Sequence, residues 1–363
     1  MKKVVKFGGS SLASAEQFRK VGKIILAEDS RRYVVPSAPG KRYTGDTKVT
    51  DMLYQCYYAA ANGEDFDGQI KQIKARYNEI IGGLNLKLSL DKEFETIAEN
   101  FKNKAGSDYA ASRGEYLNGI LMAAFIGYPF VDSAEVIRFN KDGEFDAETT
   151  DRLLKEKLKD MPKAVIPGFY GAYEDGKIKT FSRGGSDVTG SIVARAVEAD
   201  LYENWTDVSG FLVTDPRLIE DPVTIDVITY KELRELSYMG ATVLHEDAIF
   251  PVRMAGIPTN IRNTNAPEEP GTLISHDAED LDNEYVITGI AGHKDFAIVS
   301  VEKAMMNAEL GFGRRVLQAV EETGISFEHL PTGIDTMCVV CHERMLDGKR
   351  DQLVHRIYEL TDP

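Results

Sequence analysis

The sequence predicts an α/β protein, with a mostly parallel sheet sandwiched by helices and a small C-terminal βαββα module. Three observations carry this expectation. Residues 1–275 alternate short apolar runs with helically patterned segments. The first apolar run ends in Gly8 and Gly9 and feeds a helical pattern, as strands do in open parallel sheets. A stretch dense in Pro, Asn and acids, Asn263 to Glu284, then separates this region from a shorter one with its own alternation. At 363 residues the chain exceeds what one core usually supports, so two domains are expected, 1–279 and 280–363.

Taken in order, VVKF reads as the first strand, Ser14 to Ala27 as a helix, and YVVPSAP as the second strand. Asp65 to Lys104, rich in lysine and glutamate with apolar residues at helical spacing, reads as a mostly helical insertion. SRGEYLNGILMAAFIG reads as a helix leading to a strand, PFVDSAEVI. KAVIPGFYGAYEDGKIKTF reads as a strand and a hairpin turning at Asp175 and Gly176. SRGGSD opens the helix DVTGSIVARAVEA, whose small residues Gly190, Ala194 and Ala196 allow close approach to the sheet. Beyond the linker, VITGIAGHKDFAIVSVE reads as strand, loop, strand, and ELGFGRRVLQAVEETG as a helix with a glycine cap. ISFEHLPTGIDTMCVVCHE reads as two strands about a Thr-Gly turn, and DQLVHRIYEL as the last helix.

Composition excludes several classes. Hydrophobic content of 43% with 28% charged residues is that of a folded globular chain, not a disordered or fibrous one. A net charge of -15 disfavours nucleic acid and anionic membranes as partners. No apolar run approaches the ~20 residues of a membrane-spanning helix, and MKKVVKFGGSSL reaches glycine too soon for a signal-peptide core. Three cysteines cannot all pair within the chain, which fits reduced thiols in a cytoplasm. Cys338 and Cys341 form a CxxC, a spacing used in redox and zinc sites. The surrounding TMCVVCH is apolar and β-prone and no second CxxC exists, so an inert strand is expected.

Three segments carry chemistry. KFGGSS lies at a strand end, where glycine amides can approach phosphate oxygens and Lys6 can neutralise charge; it is equally an ordinary tight turn. It lacks the GxxxxGK[ST] spacing of a P-loop. SRGGSD sets Arg183, Ser186 and Asp187 at a helix mouth, where free amides attract an anion, Arg183 can fork a carboxylate, and Ser186 or Asp187 can also cap the helix. WTDVSGFLVTDPR has the turns to hold a ribose or adenine, or to be structural, with Trp205 a core residue by default.

Together with VVPSAPGKR, TDML, SRGEYLNG, VIPGFYG and YMGATVLHEDAIFPVRMAGIPTNIRNT, these segments occur in an order that resembles the amino acid kinase family, most closely its aspartate kinases. The resemblance spans about 275 residues and implies the amino acid kinase fold. It also implies ATP, with Mg²⁺ carried on its phosphates rather than in a protein metal site, and L-aspartate as the phosphoryl acceptor. By this resemblance Lys6 and Asp187 are the catalytic pair, and Ser37, Thr50, Glu115, Arg183 and Ser186 bind aspartate. Nucleotide contacts are implied for Lys6, Gly8, Gly9, Ser10, Thr206, Asp207, Leu212, Arg217, Thr242 and Val243. Leu212 stands where an aromatic is common and Thr242 where a lysine is common.

The βαββα module resembles an ACT domain, the amino-acid sensor of these kinases, with Met306, Glu309, Phe312 and Gly313 at effector positions. Aspartate kinases usually carry two such domains, so a second is expected to be missing or incomplete here. The resemblance further implies feedback by lysine more than threonine, and a homodimer or larger assembly. Two other readings stand beside this one: a kinase of the same fold acting on glutamate, carbamate or a nucleoside monophosphate, and a silent amino-acid-binding regulator.

Overall fold

The computed structural model describes residues 1–182, 184–238, 244, 246–276 and 287–363. They form two compact units, Met1–Ala291 and Gly292–Pro363. The boundary expected between residues 279 and 280 lies outside the described residues.

In the large unit the strands are β1 (Lys3–Phe7), β2 (Arg31–Pro36), β3 (Ala164–Val165), β4 (Tyr170–Ala172), β5 (Ile178–Thr180), β6 (Leu201–Thr206), β7 (Val227–Thr229), β8 (Thr259–Asn263) and β9 (Thr272–Ser275). The helices are α1 (Ala15–Leu26), α2 (Val49–Ala61), α3 (Asp67–Gly83), α4 (Asp91–Lys102), α5 (Ser107–Ile126), α6 (Ser133–Val136), α7 (Ala147–Leu158), α8 (Gly185–Ala196), α9 (Tyr230–Tyr238) and α10 (Phe250–Met254). The main sheet runs β3-β2-β1-β6-β8-β9-β7 and is parallel except between β8 and β9. β4 and β5 form the expected hairpin, with Gly176 at φ +83° in its turn.

Apolar residues cover both faces of the sheet, as parallel strands require. The period-2 alternation of β1 sends Val4 to one core, with Tyr202 and Ile192, and Val5 and Phe7 to the other, with Phe18, Leu117 and Trp205. Lys6 therefore emerges on the face that carries Val4 and α8. Gly190 lets α8 approach β6: a Cβ there would meet the Tyr202 hydroxyl at 2.5 Å.

Three local expectations give way. PFVDSAEVI is not a strand. One bridge, Phe130 to Val165, is followed by the short helix α6, because the Asp132 carboxylate accepts from the Ala134 amide and caps a turn. The expected linker contains β9, a full member of the sheet. Residues 287–295, which span the boundary between the two units, form no strand.

The small unit comprises β10 (Phe296–Glu302), α11 (Phe312–Glu322), β11 (Thr336–His342) and α12 (Arg350–Thr361), with β10 and β11 antiparallel. The strand expected before β11 is reduced to two bridges, His329 to Val340 and Thr332 to Met337. Pro331, between them, has no amide to continue a ladder. Cys338 and Cys341, three apart on β11, fall on opposite faces; Cys341 is buried in the core and Cys338 is half-buried, so the pair builds no joint site.

Candidate active site

The carboxyl ends of β1, β2, β6 and β8 converge, and the chemistry gathers there. Lys6 Nζ lies 2.6 Å from Asp187 Oδ1, on the first turn of α8. Asn204 of β6, the register partner of Lys6, donates from Nδ2 to the same Asp187 oxygen at 2.8 Å and accepts from Lys6 Nζ at 3.3 Å. The Tyr202 hydroxyl donates to the Asp187 carbonyl. Gly184 begins α8 at φ +54°, a conformation that suits glycine.

After Lys6 the chain turns tightly. The Gly8 amide donates to the Trp205 carbonyl, and Gly9 and Ser10 head a short 3₁₀ turn whose first amides have no acceptor within the turn itself. The Gly9 carbonyl accepts from the Gly40 amide, and a Cβ on Gly9 would sit 2.9 Å from the Ala38 carbonyl oxygen. Backbone thus packs on backbone here, which only glycine allows. The Ser11 hydroxyl meets that of Thr264, just past β8, at 2.8 Å.

The loop after β2 forms the other wall. Ser37 donates its amide to Phe7, and its carbonyl accepts from Asn118 Nδ2 at 2.6 Å. Glu115, one turn earlier on α5, is buried against the Ala38 backbone, and burial pushes its carboxyl up to about 8. Glu115 Oε2 and Asn118 Oδ1 are both buried without a hydrogen-bond partner. Arg76, itself buried, holds the loop through the Gly40 and Thr47 carbonyls and Asp46. Thr50 sits half-buried in the first turn of α2. Ser186 is buried against Gly168, where a Cβ would reach its hydroxyl at 2.5 Å.

Lys6, Gly8, Gly9, Ser10, Ser37, Glu115, Ser186 and Asp187 thus line connected loops around the strand ends. Thr206 and Asp207 continue from β6, their side chains 3.2 Å apart. Leu212 and Arg217 lie farther out: Leu212 bridges Thr224 in a small hairpin, and exposed Arg217 pairs with Asp215 at 2.5 Å. Arg183, Thr242 and Val243 lie outside the described residues. In the small unit Met306 and Phe312 are buried in its own core, while Glu309 pairs with Lys303 at 3.1 Å and with Arg315. A Cβ on Gly313 would meet only Met337, at 3.7 Å.

Sequence reasoning missed Asn204, Asn118 and Arg76. The signal for Asn204 was a polar pair, Glu203-Asn204, inside an otherwise strand-like LYENWT. For Asn118 it was the spacing of three from Glu115, which shares a helix face.

A family model described as "Amino acid kinase family" matches residues 1–263. Aspartokinase 3 of Bacillus subtilis is 38% identical over 373 residues, covering 98% of this chain and 82% of that protein. The crystal structure of Clostridium acetobutylicum aspartate kinase, 54% identical, matches with a TM-score of 0.90 over 99% of this chain and 83% of that one. Aspartokinase III of E. coli, solved with aspartate and ADP, is 24% identical with a TM-score of 0.71, over 99% of this chain and 84% of that one, and speaks for the fold.

Proposed function

Because the chain belongs to the amino acid kinase family, among its aspartate kinases, we propose that it transfers the γ-phosphoryl group of ATP to the β-carboxylate of L-aspartate. The observation that carries this reading is the Lys6–Asp187 pair at the carboxyl ends of the strands, beside a glycine turn whose backbone packs too closely for side chains. The products are 4-phospho-L-aspartate and ADP, and the reaction opens the route to lysine, threonine and methionine in the cytoplasm.

A β-carboxylate oxygen attacks the γ-phosphorus as the bond to the bridging oxygen of ADP breaks. The acceptor is anionic at neutral pH, so no general base is needed. The work left to the protein is to hold two anions in line and offset their charge. In this reading Lys6, with the amides of Gly9 and Ser10, binds the phosphates, and Asp187 holds Lys6 in place. Mg²⁺ carried on the phosphates would supply further screening of that charge.

Glu115 receives the aspartate ammonium, with the free Asn118 oxygen as a second acceptor. Two buried, unpaired acceptor oxygens suit a cationic group better than a neutral one. Arg183 takes the α-carboxylate, and the hydroxyls of Ser37, Thr50 and Ser186 complete the acceptor site. Thr206, Asp207, Leu212, Arg217, Thr242 and Val243 hold the nucleoside. The small unit is an ACT-type sensor that pairs with a second copy, and lysine is preferred to threonine as its effector.

ATP-dependent trapping of the acyl phosphate with hydroxylamine tests the reading, run with aspartate, with glutamate and with neither. Hydroxamate with aspartate alone is expected; equal yield with glutamate, or none with aspartate, overturns it.

A further inference from the structure

Asn204 closes a ring with Lys6 and Asp187. Lys6 and Asn204 face each other in register on neighbouring parallel strands, and Asp187 comes down on them from α8. Asp187 Oδ1 takes Lys6 Nζ at 2.6 Å and Asn204 Nδ2 at 2.8 Å, while Asn204 Oδ1 faces Lys6 Nζ at 3.3 Å. This ring fixes the orientation of the amide. Turned over, it would set oxygen against the carboxylate and NH₂ against the ammonium. Asn204 is only 4% exposed, so water does not compete for these bonds.

We propose that Asn204 is a positioning residue for phosphoryl transfer. It locks the Lys6 ammonium and the Asp187 carboxylate into one arrangement while adding no charge of its own. Of the three protons on Lys6 Nζ, one goes to Asp187 and one to Asn204, which leaves the third directed by the other two. A carboxylate in place of Asn204 would supply the same acceptor but would make the cluster net negative where a polyphosphate must bind. An apolar side chain of the same size would leave Asp187 with one donor fewer and Lys6 held by Asp187 alone. The inference rests on the kinase reading above.

The test compares wild type, Asn204→Leu, Asn204→Ser and Asn204→Asp for hydroxamate formation, with the folded fraction of each taken from circular dichroism. Asn204→Leu is expected to lower kcat per folded molecule about 10- to 100-fold, with the KM for aspartate within about twofold. Asn204→Ser, which keeps a donor and an acceptor, should recover part of that loss. Asn204→Asp, which sets a second negative charge beside Asp187, should be inactive near neutral pH. Wild-type kcat in Asn204→Leu, or a loss fully explained by unfolded protein, overturns the inference and leaves the kinase reading standing. A wild-type enzyme inactive on aspartate overturns both.

Discussion

Lys6 Nζ lies 2.6 Å from Asp187 Oδ1, tying the end of β1 to the mouth of α8. Lys6 is 7% exposed, so deleting Asp187 strands a buried cation, while deleting Lys6 removes the proposed phosphate contact and leaves Asp187 with Asn204 alone. Lys6→Ala and Asp187→Ala are each expected to lower turnover on the order of 10²- to 10³-fold, and to lower Tm. Steady-state rates per folded molecule check this, and near-normal turnover in either variant contradicts the assignment.

Glu115 couples aspartate binding to pH. Burial raises its carboxyl from 4.5 to about 8, so between those values the folded, ligand-free protein holds a proton that the unfolded chain has released. Stability must therefore fall as pH rises through that window. An ammonium needs the carboxylate form, so aspartate should bind more tightly as pH rises toward 8 and displace a proton on binding. Glu115→Gln is expected to abolish the proton release and raise the KM for aspartate. Calorimetry in two buffers of different ionisation enthalpy measures the release; an unchanged value in the variant would rule out Glu115 as its source.

On the reverse side of β6, Glu203 is buried among Lys3 at 3.0 Å, Arg31 at 2.8 Å and the indole N–H of Trp205 at 2.8 Å. Despite burial, Arg31 and Lys3 hold its carboxyl below the usual range. Glu203→Ala leaves Lys3 and Arg31 with only the partly exposed Glu28 as a partner and is expected to cost about 3 kcal/mol of stability. Urea unfolding decides the matter, and a loss under about 1 kcal/mol would place this cluster with weakly coupled surface pairs.

Regulation is tested at Gly313. Space around its Cα admits a methyl group without a close contact, so Gly313→Ala should fold normally. With lysine or threonine present, inhibition in the variant is expected to weaken while maximal activity is kept. Full inhibition by the same effector would move the effector site away from the head of α11. Met306 and Phe312 do not offer the same test, because both are buried in the unit's core and their loss would unfold it.

Much of this site was legible because its parts are written in consecutive residues. KFGGSS carries a strand end, a backbone cradle and Lys6 together, and GGSD carries a helix start with its acid. Asn204 was not legible in that way: its meaning comes from lying opposite Lys6, 198 residues away in the chain, in the register of two neighbouring strands. Arg76 was hidden similarly, inside a helix that reads as an ordinary surface insertion while its guanidinium reaches the loop before α2. At the level of the fold, β9 was concealed by its surroundings. Its four residues lie between Pro-rich and acidic stretches that read as linker, and only pairing with β8 and β7 makes them a strand.

If an aspartate carboxylate oxygen itself attacks the phosphorus at the Lys6–Asp187 site, that oxygen leaves with the phosphate. Aspartate labelled with ¹⁸O in its β-carboxylate, incubated with ATP, enzyme and hydroxylamine, measures this directly. Hydroxylamine attacks the acyl carbon and expels phosphate with the bridging oxygen attached. One ¹⁸O per released phosphate is predicted, formed in step with β-hydroxamate and largely lost with Lys6→Ala. Phosphate free of label would mean that water is the acceptor, and would contradict the account.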